Sequence, residues 1–277
     1  MTDPAPEGGG LPYRLVATDL DGTLLTSTET VSERTRAALA AVEALGARHI
    51  VVTGRSAGWT RPVLDQIGYT GIAVCGQGAQ VYDAGAHRLL TSVTLDRQLA
   101  ALALGKIEAE VGTVAVAASQ DGLDGEVLAG PGYRLISDLP VVWTDRQDLL
   151  AKPISKLYLQ HPELSDEALV AAARQVAGGL VDVVLAGPDI VELLPLGLTK
   201  ATGLAIAARR LGVRGAETIA FGDMPNDVPM LRWAGYGVAM AGAHEELRAV
   251  ADEVTAGHDE DGVAVVLERV FGLTAGA

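Results

Sequence analysis

Asp19 and Asp21 stand one residue apart where an apolar run, Arg14 to Leu20, gives way to Gly22. In an extended chain, residues two apart project to the same side, so the two carboxylates face one space and repel unless something offsets their charge. A second acidic pair, Asp223 and Asp227, lies in Phe221-Gly222-Asp223-Met224-Pro225-Asn226-Asp227, after another apolar run. Four carboxylates converging on one pocket imply a hard cation with oxygen ligands, and Mg²⁺ suits a site that also holds phosphate. Each segment alone has a plainer reading. Asp-Gly is a common turn pair, and an acid after a strand often caps the next helix. Lys200 and Thr53 add weight to the chemical reading. Lys200 follows Thr199, a residue type that starts helices, and can aim a cation at phosphate; Thr53 ends a further apolar run and offers a hydroxyl. Taken singly, the lysine reads as solvated and the threonine as a buried hydroxyl bonded to backbone.

The elements that position these residues follow from periodicity. Arg14 to Leu20, His49 to Thr53 and Gly71 to Cys75 are short apolar runs, each ending in a polar or glycine-bearing loop, as buried parallel strands do. Between the first two, Ala38, Val42 and Leu45 recur at helical spacing in Ser32 to Leu45, with Ser32 as N-cap and Gly46 as terminator. The alternation returns late: helix Lys200 to Leu211, strand Thr218 to Phe221, helix Asp227 to Trp233, strand Gly237 to Met240. Alternating strands and helices predict an α/β fold with a doubly wound parallel sheet, whose ligands sit at the carboxyl ends of the strands. The middle of the chain breaks this rhythm, with helical patterns over Leu95 to Val111 and Asp166 to Ala177 and strand-like Thr113 to Ala118 and Lys156 to Gln160. It reads as an inserted α+β domain.

In chain order, Asp19-Leu20-Asp21-Gly22-Thr23-Leu24, Thr53-Gly54-Arg55, Lys200 and Gly222-Asp223-Met224-Pro225-Asn226-Asp227 match the four motifs of the haloacid dehalogenase superfamily. From about Tyr13 to Phe271 the chain resembles the Cof-like phosphatase branch. The resemblance implies a Rossmann-like core over 13–83 and 192–277 and agrees with the irregular middle, 84–191, as an inserted cap; residues 1–12, rich in proline, glycine and acid at their start, read as a flexible tail. It implies a phosphatase acting on small phosphomonoesters, sugar phosphates among them, with Mg²⁺ as cofactor. Asp19 is then the nucleophile that forms an aspartyl-phosphate, Asp21 the acid and base, and Thr53 and Lys200 the remaining catalytic pair. Leu20, Gly22, Gly54 and Asn226 join Thr53 and Lys200 around the phosphate. The metal set is Asp19, Asp21 through its backbone carbonyl, Asp223 and Asp227, the last as a ligand through water or as a group that orients the others. One position departs from the branch: Gln77-Gly78-Ala79 stands where Asn-Gly-Ala is common, so no binding role carries over to Gln77. A phosphomutase, a phospho-accepting signalling domain and a non-catalytic phosphate binder share parts of this pattern. Asp21, placed for proton transfer, favours the hydrolase.

Composition agrees with a small-molecule enzyme. The 277 residues carry a net charge of −14, which attracts neither nucleic acid nor an anionic membrane, so a phosphorylated substrate must be drawn in locally by metal or lysine. No apolar stretch approaches the roughly 20 residues that span a bilayer. The single Cys75 excludes an intrachain disulfide and suits a reducing cytoplasm. The five histidines are scattered without metal-ligand spacing, and no Walker or dinucleotide pattern occurs. Substrate choice is expected to reside in the inserted segment, with Tyr133, Arg134, Trp143 and Tyr158 as weak candidates.

Overall fold

The computed structural model describes residues 11–135 and 140–273. Most of the expected tail, residues 1–10, lies outside them. The first half of the core runs β1 (Leu15–Thr18), α1 (Glu33–Ala44), β2 (Arg48–Val52), α2 (Ala57–Ile67), β3 (Ile72–Cys75), β4 (Gln80–Asp83) and β5 (Arg88–Ser92). The insertion follows as α3 (Arg97–Val111), β6 (Ala115–Gln120), β7 (Val127–Ala129), β8 (Val142–Trp143), β9 (Ile154–Gln160), α4 (Asp166–Ala177), β10 (Val181–Gly187) and β11 (Ile190–Pro195). The core then resumes with α5 (Lys200–Arg210), β12 (Thr218–Gly222), α6 (Val228–Trp233), β13 (Tyr236–Ala239), α7 (Glu245–Arg248), β14 (Glu253–Val254) and α8 (Gly262–Phe271).

The core sheet has the order β14-β13-β12-β1-β2-β3-β4-β5, parallel from β14 to β3 and antiparallel at the β4 and β5 edge. Its strands are buried on both faces because side chains alternate. Val16 packs with Val51 and Phe221 in one cluster, while Leu15 and Ala17 pack with Ile50 and Ala220 in the other. Ser32 caps α1 through its hydroxyl, as the sequence predicts, and α1 stops at Ala44, ahead of Gly46.

The insertion forms its own sheet, β10-β11-β9-β6-β7-β8, with α3 and α4 on one face. The resulting architecture is the predicted one, a parallel-sheet core with an α/β cap. The seams differ from the expected 83/84 and 191/192. β5 still extends the core sheet to Ser92 by pairing with β4, and β11 stays in the cap sheet to Pro195 because its whole length pairs with β10 while its middle also pairs with β9. Among the described residues, no helix is long and apolar enough to cross a membrane.

Candidate active site

Parallel pairing gathers the chemically suggestive loops at one edge. Thr18 pairs with Phe221 on one side and Val51 on the other, and Val52 pairs with Val74, so the chain leaves β12, β1, β2 and β3 side by side. Asp19 directly follows β1, and its N–H donates to the Phe221 carbonyl at 3.0 Å. The next turn requires glycine. Gly22 has φ +71°, and a Cβ there would lie 2.4 Å from Asp223 Oδ2, so only a bare backbone fits against the second acidic loop. Thr23 Oγ1 donates to Asp223 Oδ1 at 3.2 Å across the same contact. Asp227 folds its own loop back on itself, its Oδ2 accepting from the N–H groups of Asp223 and Met224, each at 3.1 Å.

Lys200 enters from the first position of α5. The Thr199 hydroxyl accepts from the Thr202 N–H and Thr202 Oγ1 accepts in turn from the Thr199 N–H, which fixes where the lysine departs. Its buried Nζ lies 2.8 Å from Asp19 Oδ1 and donates to Asp227 Oδ1 at 2.7 Å. Burial opposes the ammonium charge, but the carboxylates of Asp19 and Asp227 outweigh it and hold Lys200 above its ordinary range. One lysine does not balance three acids. Burial, and then the Asp227 carboxylate, push Asp19 well above the usual carboxylate range against the pull of Lys200, and the same two causes push Asp223 up to about 6. Carboxylate oxygens of Asp19, Asp223 and Asp227 all lie within 4.8 Å of one another. An all-oxygen set in charge deficit fits a hard divalent cation.

Asp21 faces elsewhere. Arg55 holds its carboxylate in a two-pronged grip, with Nε at 2.9 Å from Oδ2, and reaches Glu29 Oε1 at 3.0 Å. Thr53 is buried, and its hydroxyl accepts from the Arg55 N–H at 3.1 Å. Leu20 buries its side chain in the core.

A cavity of about 340 Å³ opens between core and cap. Asp19, Asp21, Gly22, Gly54, Lys200, Asp223 and Asn226 line it from the core; Leu20, Thr53 and Asp227 are not among the lining residues. The cap side is supplied by alternation. On β9, Leu157 and Leu159 pack toward the helices, which turns Lys156 and Tyr158 to the cavity; on β11, Val191 and Leu193 do the same for Ile190 and Glu192. Of the four weak candidates, only Tyr158 lines the cavity. Tyr133 packs beside it, Arg134 pairs with Asp189 at 3.0 Å, and Trp143 is exposed.

Gln77, Lys156, Glu192 and Trp59 also line it; of these the sequence singles out only Gln77, without a role, and the other three were not legible as site residues. The period-two signal over Lys156 to Gln160 was available on β9. For Glu192 only a lone acid inside an apolar run could have pointed to it. Gln77 sits in the left-handed region at φ +60°, fully buried. Its Nε2 donates to Glu192 Oε2 at 2.8 Å and its Oε1 accepts from Asn226 Nδ2 at 3.0 Å.

A model of the haloacid dehalogenase-like hydrolases matches residues 16–267. The HMP-PP phosphatase of Serratia proteamaculans is 31% identical over 90% of this chain and 91% of its own. The 5-amino-6-(5-phospho-D-ribitylamino)uracil phosphatase YitU of Bacillus subtilis is 30% identical over 95% and 98%. Among solved structures, a haloalkanoate-superfamily phosphatase from Bacteroides thetaiotaomicron superposes with a TM-score of 0.78 at 27% identity, covering 99% of this chain and 100% of that one.

Proposed function

We propose, on the premise that the chain belongs to the haloacid dehalogenase-like hydrolases and is a phosphoric monoester hydrolase of the Cof-like branch, that it hydrolyses small phosphorylated metabolites through an aspartyl-phosphate on Asp19, with Mg²⁺ as cofactor. The observation that carries this reading is the meeting of Asp19, Asp223, Asp227 and Lys200 at the core side of the cavity. Asp19 and Asp223, with Asp227 bound directly or through water and the Asp21 backbone carbonyl, would hold the cation. When bound, Mg²⁺ supplies positive charge against the phosphoryl oxygens and the acids facing them.

The chain's own groups carry the rest. An Asp19 carboxylate oxygen attacks phosphorus, and the bond to the leaving oxygen breaks as Asp21 delivers a proton to it. Water then attacks the phosphorus while Asp21 takes its proton, and the acyl-phosphate bond breaks to release phosphate and free Asp19. Lys200 offsets charge on the transferred group, Thr53 donates to a phosphoryl oxygen, and the backbone of Leu20, Gly22 and Gly54 with Asn226 completes the cradle. The cap excludes bulk water and meets the leaving group. The names of the two relatives, together with a cavity of about 340 Å³, support a metabolite-sized phosphomonoester, sugar phosphates included. A cytoplasmic setting suits the one buried thiol, Cys75, which burial pushes up to about 12.

Phosphate release from p-nitrophenyl phosphate tests the reading. Release is expected with Mg²⁺, and loss is expected on chelation or in Asp19→Asn. Activity in Asp19→Asn near wild type overturns the covalent scheme, and no metal-dependent release from the wild type overturns the function.

A further inference from the structure

Gln77 lies where cap and core meet, and its surroundings give it a task. Its amide spans the seam between cap and core, donating to Glu192 on β11 and accepting from Asn226 in the second acidic loop. Glu192 also accepts from Lys156, whose Nζ crosses the same seam to donate to the Gly54 carbonyl at 2.7 Å. Gly54 has no side chain to obstruct this: a Cβ there would lie 2.6 Å from Gln77 Nε2. Gln77, Lys156 and Glu192 are each at most 1% exposed.

The polarity of the chain of contacts is fixed from the cap. The Glu192 carboxylate only accepts, so Gln77 must turn its NH₂ toward it, and its carbonyl oxygen therefore faces Asn226, which must answer with its own NH₂. An asparagine at 77 is one methylene shorter and does not reach both partners. We propose that Gln77 is a positioning residue that couples closure of the cap, through the Lys156 and Glu192 pair, to the orientation of Asn226 and the Gly54 loop at the phosphate site. The coupling rests on the phosphatase reading above. With the cap lifted, Lys156 and Glu192 rehydrate and Gln77 loses the partner that orients it. With the cap seated, both ions are buried; each is met by the other and by a core group, and the Lys156 ammonium also lies 4.7 Å from the Tyr158 ring centroid.

The test is a charge exchange. Gln77→Glu sets two carboxylates against each other and should lower kcat/KM for p-nitrophenyl phosphate at least tenfold. Gln77→Glu/Glu192→Gln restores one acceptor and one donor at the contact and should recover activity to within about threefold of wild type. Hydrogen exchange supplies a readout that a merely structural role would not move. In wild type, orthovanadate should protect residues 54–56, 76–78 and 190–193 together; in Gln77→Glu the cap and core segments should respond separately. If Gln77→Glu does not fold, Gln77→Asn takes its place, with the same uncoupling and about a tenfold loss expected at a melting temperature near wild type. Wild-type kcat/KM in the single variant, or coupled protection that survives it, overturns the proposal while the phosphatase reading stands. An inactive wild type overturns the reading itself.

Discussion

At the scale of single residues, Asp19 and Asp21 share a motif but not an environment. Asp19 is buried against Lys200, whereas the Asp21 side chain is half exposed and held by Arg55. That separation suits two roles for two carboxylates, one fixed beside the other acids and Lys200 and one at the solvent-facing side of the cavity. Asp21→Asn should lower turnover by roughly 10² to 10⁴, the usual worth of a positioned acid and base. Labelled phosphate should accumulate on the protein in an acid-quench experiment. Its melting temperature should change little, because Asp21 is half exposed and Arg55 keeps Glu29 as a partner at 3.0 Å. Full turnover without trapped label would reassign the proton transfer. The motif residues were legible because each carries a polar group at an unusual place, the end of an apolar run. The grip of Arg55 on Asp21 was not, since a contact over 34 positions leaves no local trace.

At the scale of elements, α5 serves mainly to deliver Lys200. Its first turn is fixed by the reciprocal Thr199 and Thr202 bonds, and its buried side packs Leu204, Ala207 and Ala208 on the sheet. Thr199→Ala removes the cap and should cost about 1 kcal/mol in chemical denaturation. A displaced helix start also loosens Lys200, so kcat should fall by about fivefold to tenfold with less effect on thermal midpoint than a core truncation. A variant with unchanged kcat would show that sheet packing alone sets the lysine. The cap shows the limit of local reading. The alternation of β9 and β11 was readable as strand, but which face met the cavity depended on α3 and α4 covering the other. β5 and β11 fell on the far side of the expected seams for the same reason: strand membership is settled by a partner, and the partner of β11 on one side is β9.

For the whole molecule, pH exposes one buried group outside the site. His49 is enclosed beside Thr18, with Nε2 2.8 Å from its hydroxyl, and has the Tyr69 ring edge-on at 5.4 Å. Burial lowers it to about 4 from an ordinary 6.5. Above pH 6.5 the ring is neutral in both folded and unfolded chains, so it contributes nothing to pH dependence there. As pH falls from 6.5 toward 4 the unfolded chain takes up the proton and the folded one does not, so stability is lost across that window. The loss should approach roughly 3 kcal/mol at its limit. Urea unfolding of wild type against His49→Gln from pH 7 to 4 isolates it, because the active-site acids titrate in both proteins; parallel curves would refute the assignment.

Composition, motif order and periodicity were enough for the family, the parallel core and three of the four acids expected to meet at its strand ends. These are properties of short segments, and strand ends in a parallel sheet converge whatever lies between them. Only the tertiary structure decided that Asp21 turns to Arg55, that Lys156 and Glu192 face the cavity, and that Gln77 joins cap to core. Each depends on segments 34 to 115 positions apart meeting, and at the buried seam of Lys156, Glu192 and Gln77 a charge is tolerated only if a partner from elsewhere in the chain arrives to meet it.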